Sequence, residues 1–212
     1  NDVYNGGAPF EGQDFTFTSV IESNTNGAGA SVVNYFQDPQ VSGDMFILDP
    51  HDLRVDVTPG PGTSTLTDQL EMIIQGKSGQ SVSQILLSNI GDYRAIGTGS
   101  SVEAEINYFW EVMAGSSAGA NGSGSVMFNK VGDPSSADPW LLMFAVDLPA
   151  DSTEVLFRLD HTQTASASSV SAAAYTGSLV PNGLTVTVVV PEPTAYGLAT
   201  VMLLSVCVWR RR

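Results

Sequence analysis

The sequence predicts an all-β protein: an antiparallel β-sandwich of jelly-roll type, followed by a single hydrophobic C-terminal helix. Three observations lead there. Apolar and polar residues alternate with period two along most of the chain. Turn-forming residues, among 21 Gly and 11 Pro, fall between the alternating runs. The longest charge-free apolar run stands at the C-terminal end. With 212 residues and 42% hydrophobic composition, the chain can bury one core of ordinary size. The expected division is a sandwich domain over 1–187 and a tail over 188–212.

The strands follow in order. Phe15, Phe17 and Ile21 share one face of a first run. Short apolar strands are expected at Val32–Phe36 and Met45–Leu48. Leu53, Val55 and Val57 alternate with Arg54 and Asp56, and Leu70, Met72 and Ile74 alternate with Gln69, Glu71 and Gln75. Ile85–Leu87 is a further strand. The clearest alternation is Val102–Val112: Val102, Ala104, Ile106, Tyr108, Trp110 and Val112 face one way, Glu103, Glu105, Asn107 and Glu111 the other, with Phe109 out of pattern. That is a half-buried antiparallel strand. Val126–Val131, Trp140–Val146, Val155–Leu159 and Leu184–Val190 complete the set. Turns are expected at Asn5-Gly6-Gly7, Asn26-Gly27, Ser42-Gly43-Asp44, Pro59–Gly62, Gly91-Asp92, Asp133-Pro134 and Asn182-Gly183. Ala114–Ser125 has the composition of a flexible linker, and between two strong strands it is expected as a mobile loop inside one domain. Ser166–Tyr175, rich in Ser and Ala, reads equally as a short helix, a strand or a loop.

Charge narrows the partners. Of eight basic residues three are Arg210, Arg211 and Arg212, and of 22 acidic residues only Glu192 follows Pro191. The body is therefore strongly acidic. It would repel nucleic acid and anionic lipid alike. Acidity of this kind serves solubility outside a cell, or cation binding. The single cysteine, Cys207, lies in the tail, so the body has no disulfide and no thiolate metal site. The chain begins at Asn1 without a methionine, as it would after removal of a secretory signal and equally after trimming.

The tail has three parts. Pro191-Glu192-Pro193 is a rigid break that cannot extend a strand ladder. Thr194–Trp209 is free of charge and as a helix would be about 24 Å long, a little short of the ~30 Å hydrocarbon core. Leu198, Val201, Met202, Leu203, Leu204, Val206 and Val208 lie all round the helical wheel, which suits lipid. Tyr196 and Trp209 stand near the ends, where interfacial aromatics belong. Arg210–Arg212 would hold their end in the cytoplasm and can snorkel to make up length. The body is then expected outside the inner membrane. A C-terminal helix packed into the soluble core is the competing reading.

These three parts resemble the PEP-CTERM sorting signal, over about the last tenth of the chain. The resemblance implies recognition by an exosortase, an integral-membrane transpeptidase-like protease, with cleavage near Pro191–Pro193. It implies a Gram-negative-type host that makes exopolysaccharide, and a body delivered to the cell surface or extracellular matrix. Asp68–Tyr93 also looks like the strand–loop–strand of bodies that precede such tails in planctomycete-type bacteria. On this reading the chain is the substrate of the sorting enzyme and not itself an enzyme.

Little catalytic chemistry is expected of the body. His51 and His161 are the only histidines. His161 follows Asp160, but no G-x-S-x-G elbow accompanies them, so both are expected in loops or exposed. Spacing does not support a two-histidine metal site of His51, Asp49, Asp52 and His161. No cofactor is expected; the alternative is calcium at Asp49 and Asp52, with Asp38 and Asp44 near in sequence. The EF-hand pattern is absent, and loop aspartates also serve turns. Glu103, Glu105 and Glu111 could line a glycosidase groove or a solvated face. Tyr108, Phe109, Trp110 and Trp140 could stack on sugars or fill the core. A carbohydrate- or calcium-binding module ahead of the same tail is the alternative function.

Overall fold

Alternation and β-branched residues do produce strands. A computed structural model describes residues 2–26, 36, 39–49, 54–58, 60–132, 138–169, 172–177 and 183–190. Its strands are β1 (Asp2–Val3), β2 (Phe10–Glu11), β3 (Phe15–Asn26), β4 (Gln40–Ser42), β5 (Met45–Leu48), β6 (Arg54–Val57), β7 (Gly62–Gly76), β8 (Gln84–Ile96), β9 (Ser100–Gly115), β10 (Asn121–Val131), β11 (Asp138–Asp147), β12 (Ser152–Ala167), β13 (Ala173–Gly177) and β14 (Leu184–Val189). Among the described residues there is no α-helix; two 3-10 turns stand at Tyr4–Gly7 and Lys77–Gly79.

All pairings are antiparallel, and they form two sheets. The first runs β1-β3-β7-β12-β9-β10, with β2 also on β3. The second runs β4-β5-β14-β8-β13-β6, with β11 also on β8. In the second sheet one side of β8 carries β14 against Gln84–Asn89 and then β13 against Asp92–Ile96, while the other side carries β11. The two sheets face each other as a β-sandwich. Its core joins Phe15, Phe17, Leu70, Met72, Ile74, Ile106, Phe157 and Leu159 of the first sheet to Phe46, Leu48, Ile85, Leu87, Trp140 and Val186 of the second. Each fully buried large side chain contributes about 1.5–3 kcal/mol.

Three local expectations fail, each for a steric or backbone reason. Ile21 does not share a face with Phe15 and Phe17. A bulge interrupts the β3–β7 register between Thr18 and Ile21, and Ser19 takes φ +51°. The extra residue reverses the alternation, so Val20 and Glu22 turn inward. Gly91-Asp92 is not a turn but mid-β8. A Cβ on Gly91 would lie 2.2 Å from the Trp140 ring and 2.3 Å from the Gly177 carbonyl oxygen. Glycine is there to admit another strand's ring and backbone.

Ala114–Ser125 is not a mobile loop. β9 continues to Gly115, a short turn follows, and β10 starts at Asn121 with Gly122 opposite Trp110 and Gly124 opposite Tyr108. The two rings lie across the two glycines, 2.8 and 2.3 Å from where Cβ atoms would stand. A linker-like composition thus encodes an edge strand shielded by aromatics. The ambiguous Ser166–Tyr175 contributes the end of β12 and the start of β13. The Asp68–Tyr93 stretch is strand, 3-10 turn and strand.

Candidate functional site

The sandwich interior carries an unusual row of polar groups. The β3 bulge brings Glu22 inward, and the ordinary alternation of β7 and β12 brings Asp68 and His161 to the same face; all three are at most 1% exposed. Asp68 and His161 are cross-strand partners, and Glu22 lies opposite Leu70, one rung away from Asp68. Facing them from the second sheet are Asn89 and Thr176, also buried.

At one end of the row Tyr4 donates its hydroxyl to Glu22 and lies 3.2 Å from the Phe36 carbonyl oxygen. The Asp68 carboxyl meets that of Glu22 in a side-chain hydrogen bond. Burial first, then the negative charge of Glu22 and the hydrogen bond to it, and last the charge of Asp160, push the Asp68 pKa up to about 9; the Gln69 backbone amide opposes this only in part. At the other end, Asn89 Nδ2 lies 3.2 Å from His161 Nε2, and the imidazole stands edge-on to Trp140 at 6.2 Å. Burial pulls the His161 pKa down to about 3, so the ring stays neutral in the fold. Trp140 in turn donates its indole N–H to the Asp92 carbonyl and the Thr176 hydroxyl, both at 3.1 Å.

The outer face of the first sheet is different in kind. Across β7 and β12, Thr63 meets Ser166 at 3.0 Å, Thr65 meets Thr164 at 3.3 Å, Thr67 meets Thr162 at 3.1 Å, and Gln69 donates to Asp160 at 2.6 Å. Beside this ladder lies a shallow groove of about 460 Å³, lined by Asn107, Phe109, Ser123, Ser125, Arg158 and Asp160 together with Tyr108 and Gly124. The Arg158 guanidinium stands 5.5 Å from the Phe109 ring centre. Hydroxyls, an amide, a guanidinium, a carboxylate and one ring make a strip suited to a polyhydroxylated ligand. On the second sheet a smaller groove, about 170 Å³, is lined by Arg54, Arg94 and Tyr175. Arg54 lies over the Tyr175 ring at 4.8 Å, and the phenol donates to Asp92 at 3.0 Å.

The residues singled out from sequence are placed as follows. His161 is neither exposed nor in a loop: it lies mid-β12 and fully buried, because it continues the inward series Val155, Phe157, Leu159. Asp160 projects to the opposite face, so the two cannot act as a dyad. Glu103, Glu105 and Glu111 lie on the outer face of β9, half-buried, with Glu103 accepting from Asn129 at 3.2 Å. Trp140 is core, Tyr108 and Trp110 pack against the core, and Phe109 faces the outer groove. Asp44 accepts from the backbone amides of Asp14 and Phe15 at 2.7 and 3.2 Å. Asp49 is half-buried. His51, Asp52, Asp38 and the whole tail, Pro191–Arg212, lie outside the described residues. Among the described residues no helix is long and apolar enough to cross a membrane.

Sequence reasoning missed Asp68 and Glu22. The parity of Asp68 with Leu70, Met72 and Ile74 was a usable signal. For Glu22 no signal existed, because the bulge alone turns it inward.

No family model matches the chain, and no curated protein is similar to it. Among solved structures it is similar to the enzymatically active domain of bacteriophage CBA120 tailspike protein 4, at 11% identity and TM-score 0.26 over 80% of this chain. It is also similar to the infectious bursal disease virus Gt strain structure, at 8% identity and TM-score 0.25 over 89% of this chain. A mutant VP2 protein of the same virus is similar at 9% identity and TM-score 0.26 over 84%. The chain spans 19%, 65% and 57% of those chains. Likeness at these scores carries no argument about fold or function.

Proposed function

We propose that this chain is an exported envelope or extracellular-matrix protein that an exosortase sorts and cleaves through its C-terminal tail. The observation that carries the reading is the order of the last residues: proline break, charge-free apolar run, arginine cluster, directly behind the final strand. β14 ends at Val189, two residues before Pro191, and sits between β5 and β8. A cut at Pro191–Pro193 therefore removes none of the described strands from either sheet. In this reading Pro191, Glu192 and Pro193 are the recognised break. Thr194–Trp209 stops the chain in the inner membrane with the body outside, and Arg210–Arg212 anchor the cytoplasmic end. The released body goes to the cell surface or beyond, as a jelly-roll-like wrapping in which the chain alternates between the sheets from β6 to β9 and from β10 to β13. The test is co-expression with an exosortase: the wild-type tail is cut, while Glu192→Ala leaves the full chain in the membrane fraction. Equal processing of both chains would refute the assignment.

The outer groove favours a second reading, a glycan-binding module carrying the same tail. Phe109 and Arg158 flank a strip of hydroxyl and amide groups on an exposed sheet face. Affinity electrophoresis in neutral and acidic polysaccharide gels tests it. Retardation that Phe109→Ala abolishes supports the groove, and unretarded migration in every gel removes it.

A further inference from the structure

The free strand edges of the sandwich are of two kinds. β1, β2, β4 and β6 hold only two to four residues each. β10 and β11 are long, and among the described residues they pair with β9 and β8 alone. A long open edge exposes a row of backbone N–H and C=O groups ready to pair with another chain. β10 is guarded: Lys130 stands exposed on it, and the Trp110 and Tyr108 rings lie across Gly122 and Gly124. β11 is not. It carries no charge between Asp138 and Asp147, and its outward Leu141 and Met143 are 54% and 66% exposed. Beside it on β8, Ile90 and Leu86 continue the apolar patch, with Ser88 between them.

In a body this acidic, a charge-free edge is a place where two copies can approach without repulsion. The edge also fits itself. Opposed residues of antiparallel strands point to the same face, so outward residues oppose only outward ones. Asp138 shares the parity of buried Trp140 and Leu142, whereas Asp147 shares that of exposed Met143, so the two aspartates never stand opposite each other. With a two-fold axis at Leu142, Leu141 of each copy meets Met143 of the other, and Asp138 meets Val146. About nine residues of each strand then pair, through roughly eight to ten backbone hydrogen bonds. That is close to the ~10 of a standard interface. We propose that β11 pairs antiparallel with β11 of a second copy of this chain, joining the two second sheets into one continuous sheet. The two-fold closes the assembly at a dimer, since each copy has then used its one unguarded long edge. The dimer goes beyond sorting and glycan binding, and depends on neither the tail nor the outer groove of the first sheet.

The experiment is sedimentation velocity on the full chain in a density-matched detergent, with micelles in large excess so that two tails do not share one. The wild type should form a concentration-dependent dimer and nothing larger. Leu141→Lys with Met143→Lys should weaken dimerisation about tenfold or more, because like charges then face each other across the axis. Mixing that chain with one carrying Leu141→Glu and Met143→Glu should restore a mixed dimer. Leu86→Lys with Ile90→Lys, one strand in from the edge, should leave dimerisation nearly unchanged. Urea midpoints of dilute protein check that each variant folds. Should a β11 double variant fail to fold, Leu141→Lys and Met143→Glu, alone and mixed, serve in its place. A monomeric wild type overturns the proposal. So does a dimer that the β11 lysines leave intact, a mixture that stays monomeric, or a dimer that the β8 pair breaks equally, which would mean stacked faces and not joined edges.

Discussion

The two sheets divide the chemistry unevenly. The first carries polar groups on both faces: Glu22, Asp68, His161 and Gln163 lie inside among its apolar core residues, and the Thr–Thr, Thr–Ser and Gln–Asp pairs run along its outside. The second is mainly apolar inside and carries an exposed apolar patch outside. Phe46, Leu48, Ile85, Leu87, Leu184 and Val186 lie inside, with Asn89 and Thr176 as exceptions, and Leu86, Ile90, Leu141 and Met143 stand exposed outside. Period-two alternation builds both, yet it fixes only that successive side chains point opposite ways. What each face then does depends on what the other strands bring to it. The first sheet gathers titratable groups that make stability depend on pH. The second gathers close packing, where a single methyl group matters.

The largest contrast should come from pH. His161 is neutral in the fold down to about pH 3 but titrates near 6.5 when unfolded. Between those values the unfolded chain takes up a proton that the fold refuses, so stability falls as pH drops from 6.5 toward 3. Asp68 keeps its proton in the fold up to about pH 9 and loses it near 3.8 when unfolded. Its contribution is full below pH ~4 and is lost as pH rises toward 9. Each arm is worth on the order of a few kcal/mol. Urea midpoints measured against pH should show both, and Asp68→Asn should flatten the alkaline arm while leaving the acid one. An unchanged profile would show that the polar interior of the first sheet is not what sets the response.

Packing comes next. Gly91→Ala in the second sheet should cost about 3 kcal/mol, because the new methyl meets the buried Trp140 ring and the Gly177 backbone together, neither of which can move away. Gly124→Ala in the first should cost about 1 kcal/mol. It meets the tip of the half-buried Tyr108 ring, which can swing, and alanine recovers some strand propensity. Chemical denaturation ranks the two, and equal costs would remove the contrast between a locked and an adjustable glycine.

The smallest effects belong to the outer faces. Leu141→Lys with Met143→Lys should change stability by no more than ~0.5 kcal/mol while lowering the binding of an apolar-surface dye. Thr65→Val with Thr164→Val should cost about 0.5 kcal/mol and raise dye binding. Dye binding that responds to neither pair would mean that the exposed apolar face is not the source of the signal.

Most of the architecture was legible. Met45–Leu48 was read to the residue, and the faces of Val102–Val112 were read correctly, Phe109 included. What escaped has a common physical cause. Gly91, Gly122 and Gly124 read as turn or linker residues, because a glycine's local signal is flexibility, whereas its use here is to make room for a ring that arrives from another strand. Glu22 escaped because one residue at φ +51° reverses the face of half a strand. His161 was weighed with Asp160, its neighbour in sequence, although strand geometry sends the two to opposite faces. In the interior polar row Asp68 and His161 were readable from parity with the apolar residues of their own strands, and Glu22 was not. The sorting tail is legible in composition alone.

The most direct test of the sorting account is the intact mass of the mature protein recovered from its native host. A C-terminus at Pro191–Pro193, with or without an added group, is the predicted result. A mass that still contains Arg210, Arg211 and Arg212 would contradict it.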